Sequence, residues 1–318
     1  MDGCTQEHCW PDTGCPLGNL DRSRCPHFQT ADAGGHDNGQ VEGDATAVPW
    51  TGWAMGLSDL VFVAGCGKPL VLGVVGPANA GKTTLLAAWY LLLSRGAGAG
   101  EGRRFAGSLS LLGWEAIATH MRWSPGPLPP TFPPHTTSQS ARHPGLLHLA
   151  FAANNRRPVD YVMTDAPGEW FRAWAMNRDA DTAAGARWVV EHADAFLLLA
   201  DREALSGREM GVARGNIQAL AQRLGSERAA RPVALAWTKA DIAISADMET
   251  SVRHSVRRFI PDAEEFQVSI HGEDGQQNGT GRGFLELLQW SLSVRRGRVD
   301  LAPPGRGAED PLFLFGAR

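Results

Sequence analysis

The sequence of 318 residues predicts an α/β protein in which helices cover both faces of a mostly parallel sheet. Short apolar runs typical of buried strands alternate along the chain with longer stretches in which apolar residues have helical spacing. This alternation is the pattern of strands joined by crossover helices. The composition supports a globular core, because 43% of the residues are apolar and 20% are charged.

The predicted elements follow these patterns in chain order. Continuous apolar runs predict strands at residues 70–75, 146–152, 159–164, 195–200, 232–237 and 266–270. Amphipathic spacing predicts helices at residues 81–94, 208–224 and 283–292. Only six residues separate the strands 146–152 and 159–164, too few for a crossover helix, so we expect these two strands to form an antiparallel hairpin.

Composition divides the chain into four predicted segments. Residues 1–28 form a small Cys-rich segment, and residues 29–56, rich in Gly, Asp, Asn and Ala, form a flexible linker. Residues 57–298 form the α/β domain, and residues 299–318 form a tail. The domain includes a long loop at 96–145, where six prolines between positions 125 and 134 argue against a helix.

Charge and hydropathy exclude several classes of protein. The formal net charge is −4, and we see no basic stripe of the kind that binds nucleic acid. No apolar run approaches the ~18 to 20 residues that span a bilayer. Residues 1–11 lack the basic and apolar blocks of a secretory signal, so we expect a cytoplasmic protein.

A glycine-rich sequence, GPANAGKT, lies at residues 76–83 between the first predicted strand and the first predicted helix. This spacing and context define a P-loop. In such a loop the backbone N–H groups face a phosphate, Lys82 spans the β- and γ-phosphates, and the Thr83 hydroxyl ligates Mg²⁺. The sequence therefore predicts a nucleoside triphosphate site formed by Gly76, Asn79, Ala80, Gly81, Lys82, Thr83 and Thr84.

A carboxylate follows another strand in the sequence D-x-x-G, from Asp165 to Gly168. Asp165 can hold Mg²⁺ through a water molecule, and the Gly168 N–H can contact a γ-phosphate. The alternative is an aspartate in a turn that caps the next helix.

A third motif, Thr238-Lys239-Ala240-Asp241, follows the strand 232–237. The Asp241 carboxylate can accept two hydrogen bonds from guanine, which adenine cannot offer. The stem of Lys239 can lie over the base while its ammonium reaches the P-loop, and Ser269 follows in a segment that can present a backbone N–H to the base. Lys239 is one of only three lysines among 30 basic residues. The alternative is a surface turn.

The order of these motifs resembles that of the GTPases of the TRAFAC class, relatives of Ras and of translation-factor G domains, over residues 68–295. The segments 105–113, 165–171 and 310–318 are similar to those of bacterial TRAFAC-clade double-GTPase domains, which are associated with multi-gene conflict or signalling systems. The resemblance implies a P-loop NTPase fold of the Ras-like G-domain type that binds GTP or GDP with Mg²⁺ and signals to an unidentified effector or activating protein. It leaves a nucleotide-dependent dimer open.

The same resemblance assigns the catalytic and switch residues. Lys82, Glu169 and Thr137 are the expected catalytic residues, and Thr136 or Thr137, with Thr131 as a further candidate, is the threonine that closes over Mg²⁺. Glu169 stands where Ras-like enzymes have a water-orienting glutamine. A further negative charge near the γ-phosphate is unfavourable without a cation, so we expect slow hydrolysis. Arg172 or a partner protein could supply that cation, and a surface role is the alternative for Arg172.

Two further ions follow from the sequence. Asn79 occupies the position at which related GTPases with a G-x-x-N-x-G-K-[ST] loop hold K⁺, and the alternative is a tolerated polar residue. Four cysteines could close a tetrahedral Zn²⁺ site in the first segment. Their spacing lacks the C-x2-C pair of typical zinc sites, so free thiols or disulfides stay open; the cysteines are Cys4, Cys9, Cys15 and Cys25.

The leading interpretation is a regulatory GTPase with slow, Mg²⁺-dependent hydrolysis. One alternative is a pseudo-GTPase that serves as a binding module, with nucleotide and zinc in structural roles. Another is an ATPase of a different P-loop class, which Asp241 argues against.

Overall fold

The computed structural model describes residues 3–4, 28–29, 54–65, 67–100, 102–122, 143–153, 157–270 and 283–296. The chain separates into two units, Met1–Val48 and Pro49–Arg318. The described residues of the first unit are two short strands, β1 (Gly3–Cys4) and β2 (Phe28–Gln29), which pair antiparallel. The predicted zinc ligands Cys9, Cys15 and Cys25 lie outside the described residues, as does the side chain of Cys4.

Seven strands of the second unit form one sheet in the order β4-β5-β6-β3-β7-β8-β9. Strand β5 runs antiparallel to both of its neighbours, and every other neighbouring pair in this sheet is parallel. The mostly parallel sheet and the antiparallel hairpin are therefore confirmed. The strands are β3 (Leu70–Val75), β4 (Arg103–Gly107), β5 (Gly145–Ala153), β6 (Val159–Asp165), β7 (Ala195–Asp201), β8 (Val233–Thr238) and β9 (Glu264–Gln267).

Helices cover both faces of this sheet, as predicted. Alternate residues of β3 point to opposite faces, so that Leu72 and Val74 join one apolar core and Val71 and Val75 join the other. The first core packs beneath α2 (Lys82–Ser94), α3 (Leu111–Ala118) and α9 (Phe284–Ser293). The second packs beneath α1 (Leu60–Ala64), α4 (Gly168–Met176), α5 (Ala184–His192), α6 (Arg202–Ser206), α7 (Met210–Glu227) and α8 (Ala246–Phe259).

The expectation of a long loop without a helix at 96–145 is wrong for residues 103–121. This stretch forms β4, α3 and a 3₁₀ turn, Thr119–Met121. Trp114 of α3 is fully buried and donates its indole N–H to the His148 carbonyl oxygen at 2.9 Å. Proline breaks a helix only where it occurs, and the first proline of the cluster stands four positions beyond the 3₁₀ turn. The cluster itself lies outside the described residues.

The observed elements differ from the predicted ones in other places as well. Met55, assigned to the linker 29–56, is buried and exchanges two backbone hydrogen bonds with Leu146, at 2.8 and 3.0 Å. Strand β9 lies slightly before the predicted 266–270. The sequence also did not predict the helices α1, α4, α5, α6 and α8. The Ser245 hydroxyl nevertheless caps α8 by accepting the Met248 N–H at 3.2 Å. In the part of the chain that is described, no helix is long and apolar enough to cross a membrane.

An ion pair lies at the edge of the sheet where the parallel strands begin. Arg296 donates to both Asp194 carboxylate oxygens at 2.6 Å, to the Lys68 carbonyl at 2.9 Å and to the Pro69 carbonyl. Asp194 also accepts the Val71 N–H at 2.8 Å. The chain after α9 is therefore tied to the start of β3, and both partners of the pair are largely withdrawn from water.

Replacing Arg296 by Ala is expected to lower the free energy of unfolding by about 2 kcal/mol, because it leaves a part-buried carboxylate and two carbonyls without their charged donor. Denaturant titration measures this loss, with the exposed Arg208→Ala as the control. Equal stability of the two variants would contradict the structural role of the ion pair.

Candidate nucleotide-binding site

The loop between β3 and α2 is tight. A glycine stands where a side chain would crowd its neighbours, and two residues have a left-handed backbone. A Cβ on Gly76 would lie 3.1 Å from the Leu199 Cβ and 3.3 Å from the Ala80 Cβ. Asn79 and Gly81 have φ values of 63° and 83°. Gly81 is the N-cap of α2 and has no side chain to cap the helix, so the first N–H groups of α2 and the positive end of its dipole are open to the loop. This arrangement suits an anion.

Lys82, the first residue of α2, is buried in the loop with 7% of its surface exposed. Its ammonium donates to the carbonyls of Gly76 at 3.2 Å and Pro77 at 2.8 Å. Burial lowers the pKa of Lys82 to about 8, against the opposing effect of the carboxylates of Asp165 and Glu169. The ammonium is therefore only weakly favoured until further negative charge reaches it.

Asp165 ends β6 beside the second residue of α2. The Thr83 hydroxyl donates to the two Asp165 carboxylate oxygens at 3.0 and 3.1 Å, and only 8% of Asp165 is exposed. A hydroxyl and a carboxylate oxygen are ligands of the kind that Mg²⁺ prefers. The donor set at this point therefore fits a magnesium ion.

Gly168 brings the start of α4 against the backbone of the P-loop. A Cβ on Gly168 would lie 2.1 Å from the Ala78 nitrogen and 2.3 Å from the Pro77 carbonyl carbon. No side chain fits at that distance. Glu169, the next residue, is exposed in the first turn of α4.

The third motif turns immediately after β8. Lys239 has a left-handed backbone with a φ of 53°, and the Ala240 N–H donates to the Val268 carbonyl at 3.1 Å. The buried Ser269 hydroxyl donates to the Asp241 carboxylate. This contact fixes the orientation of the Asp241 carboxylate, which is exposed at the edge of the turn.

In this structure the Lys239 ammonium does not hydrogen-bond to the described P-loop residues, and its reach toward the P-loop beside a bound nucleotide stays a prediction. The ammonium donates instead to Asp201 at 2.8 Å and to Glu203 at 2.6 Å. Strand register explains this contact, because Asp201 ends β7 directly opposite Thr238 on β8. Neither carboxylate was predicted, although Asp201 follows a buried strand much as Asp165 does.

A cavity of about 520 Å³ joins the P-loop to the third motif. Gly76, Ala80 and Asp165 do not line this cavity. Sequence reasoning missed the apolar wall residues Leu85, Ala166, Ile242 and Phe284. The predicted residues that line the cavity are Asn79, Gly81, Lys82, Thr83, Thr84, Gly168, Glu169, Thr238, Lys239, Asp241 and Ser269.

Other predicted site residues either lie outside the described residues or do not line this cavity. Thr131, Thr136 and Thr137 lie outside the described residues. Arg172 is an exposed residue of α4 that does not line the cavity. Within the described ranges there is no cluster of three or more His, Cys, Asp or Glu side chains arranged to hold a metal ion.

Solved structures similar to this chain include two of Era. One, with 16% identity and a TM-score of 0.35, is Era in complex with MgGDPNP and nucleotides of 16S ribosomal RNA. The other, an Aquifex aeolicus Era variant bound to GDP.AlF4⁻, has 14% identity and a TM-score of 0.33. Each match covers 73% of this chain and 59% of the Era chain. The chain thus spans little more than half the length of these proteins.

A protein from Thermus thermophilus matches with 22% identity and a TM-score of 0.29, over 60% of this chain and 22% of the other. A comparison with curated proteins found no match.

A family profile matches residues 70–291, well over half of the chain. The match begins at β3, includes the P-loop, the D-x-x-G segment and the third motif, and ends within α9. On this match the chain belongs to the family described as Double-GTPase 2.

Proposed function

We propose that this protein binds GTP and GDP with Mg²⁺, hydrolyses GTP slowly and acts as a nucleotide-dependent regulatory switch. The observation that carries the proposal is a single cavity that has Lys82 and Thr83 at one end and Lys239 and Asp241 at the other. Membership of a family of GTPases supports a guanine nucleotide as the ligand.

The phosphate end offers three kinds of group to a triphosphate. The start of α2 directs backbone N–H groups at the loop, Lys82 supplies a positive charge, and Thr83 and Asp165 would hold the metal. Bound Mg²⁺ supplies positive charge that stabilises the charge developing on the phosphoryl oxygens. The residues of the chain bind and orient the triphosphate for attack by water in line with the leaving oxygen.

Glu169 is the residue that we assign to the attacking water. Its carboxylate lines the cavity and can accept a hydrogen bond from water. It also adds negative charge at the position where the γ-phosphate would bind, which opposes the reaction unless a cation is near. Slow intrinsic turnover follows, and an activating partner would supply the missing cation.

The switch would operate through the contact between Gly168 and the P-loop. Gly168 lies so close to Pro77 and Ala78 that a change at the phosphate end must also affect the start of α4. Thr136 and Thr137 are the proposed second switch element. Release of the γ-phosphate would free both segments and change the surface offered to an effector.

Other parts of the sequence interpretation stay predictions. These are a role in a conflict or signalling system, K⁺ at Asn79, Zn²⁺ at the four cysteines, a nucleotide-dependent dimer and a cytoplasmic location. The alternative function is a pseudo-GTPase that binds nucleotide without turnover and acts as a module for a partner.

The first expected result is single-turnover hydrolysis of GTP that requires Mg²⁺ and is lost in Lys82→Ala. Removing this ammonium leaves the phosphates without their main protein cation, so we expect nucleotide affinity to fall about a hundredfold. Lys68→Ala is the matched control, because Lys68 is exposed at the opposite end of β3. Bound GTP that stays intact for hours would contradict hydrolysis and favour the pseudo-GTPase.

The second expected result concerns the base. Asp241→Asn should weaken GDP binding about tenfold to a hundredfold and improve binding of xanthosine diphosphate, because an amide can donate a hydrogen bond to the xanthine oxygen. Equilibrium titration with both nucleotides measures the change. The exposed Asp247→Asn should leave both affinities unchanged. Unaltered GDP affinity in Asp241→Asn would contradict base recognition by this carboxylate.

The third expected result is a pH dependence set by Lys82. Its pKa of about 8 means that the free protein carries the ammonium below this pH and loses it above. A phosphate ligand needs the charged form, so GDP affinity should be nearly constant below about pH 8 and fall up to about tenfold per pH unit above it. Titrations between about pH 7 and about pH 9 test this. A flat profile would contradict the lowered pKa of Lys82 in the free protein.

A further inference from the structure

The Lys239 ammonium is held by two carboxylates that the nucleotide motifs do not include. Asp201 lies 2.8 Å and Glu203 2.6 Å from the Lys239 Nζ. Asp201 is 5% exposed, whereas the side chain of Glu203 is 65% exposed. The buried carboxylate therefore carries the stronger restraint, because solvent screens the outer ion pair.

Asp201 is itself fixed on its other side. One of its oxygens accepts the Glu203 N–H at 2.9 Å and thereby caps the start of α6, while the other accepts from Lys239. Its neighbour Arg202 points elsewhere, with its guanidinium over the Trp237 ring and 3.2 Å from Glu249. Among the described residues, the charged partner of Asp201 in the structure is thus Lys239.

We propose that Asp201 is a positioning residue for nucleotide binding, with Glu203 as a weaker second one. The proposal rests on the proposed function, because Lys239 is taken to form one wall of the base-binding end of the cavity. Asp201 holds the ammonium beyond the end of β7, so that the aliphatic stem of Lys239 stays extended along the wall.

The physical reason is the freedom of a lysine side chain. Four rotatable bonds let an unrestrained ammonium move toward the phosphate end, and ordering the side chain on binding costs conformational entropy. Two carboxylates order it before the ligand arrives. The left-handed backbone of Lys239, with a φ of 53°, sets the direction in which the side chain leaves the turn.

A positioning role of Asp201 and a purely structural role predict different effects when Asp201 is lost. Lys239 lies at the base end, away from the Thr83 and Asp165 pair, so the loss of Asp201 should weaken GDP and GTP to the same extent. The rate of the chemical step for GTP that is already bound should not follow this loss. A protein that was merely destabilised would instead show a lowered unfolding midpoint.

The test is nucleotide affinity of the full chain with Asp201→Asn. The asparagine oxygen can still cap α6, while the negative charge is lost. We expect GDP and GTP to bind about tenfold more weakly. Glu203→Gln, at an exposed position, should weaken both about twofold. The exposed Glu209→Gln is the control and should bind as the wild type does.

A double-mutant cycle with Lys239→Met decides whether Asp201 acts through Lys239. Methionine keeps most of the stem and removes the charge. The double variant should bind GDP no more weakly than the weaker single variant, whereas independent roles would multiply the two losses. Independent losses, or GDP affinity of folded Asp201→Asn within twofold of wild type, would overturn the proposal.

Three further outcomes are also decisive. Should Asp201→Asn fail to fold, Asp201→Ser, whose hydroxyl can also cap α6, replaces it in the cycle, and independent losses there overturn the proposal equally. Failure of the wild-type protein to bind GDP or GTP would contradict the proposed function itself. Normal wild-type binding together with unchanged variants would contradict the positioning role alone.

Discussion

The close approach of Gly168 to the P-loop backbone is the constraint on which the site depends. A Cβ there would lie 2.1 Å from the Ala78 nitrogen, so only glycine allows β6 to continue into α4 at this distance. The approach follows from the parallel pairing of β3 with β6, which ends both strands at the same edge of the sheet. Thr83 and Asp165 meet there for the same reason.

The charges of the cavity are arranged around two ammonium groups. At one end Lys82 lies near the carboxylates of Asp165 and Glu169, and at the other Lys239 lies between Asp201 and Glu203. Each ammonium thus faces two acids, and a polyanionic ligand entering this field is repelled as well as attracted. The positive charge of a divalent cation would offset the acids at the phosphate end. Bound magnesium would therefore raise nucleotide affinity as well as support the reaction.

The nucleotide motifs could be predicted from sequence because each is local. The P-loop, the D-x-x-G segment and the third motif each combine a strand end with the turn that follows it, and parallel strands bring such ends to one edge. Asp201 could not be assigned to Lys239 in this way, because their contact depends on the register between β7 and β8. Strand β4 and helix α3 were missed because the proline cluster dominated the interpretation of the whole segment, although it begins only after both elements end.

The chain contains only three lysines, and they lie in different surroundings: Lys68, Lys82 and Lys239. The Lys82 ammonium fits between two carbonyls with 7% of the residue exposed, a space that suits a compact group better than a planar guanidinium. Lys239 lines the cavity, and its flexible stem lets the ammonium reach the buried Asp201 carboxylate at 2.8 Å. Lys68 is exposed, and its backbone carbonyl rather than its side chain contacts Arg296. The two lysines that line the cavity are therefore the two for which arginine is a poor substitute.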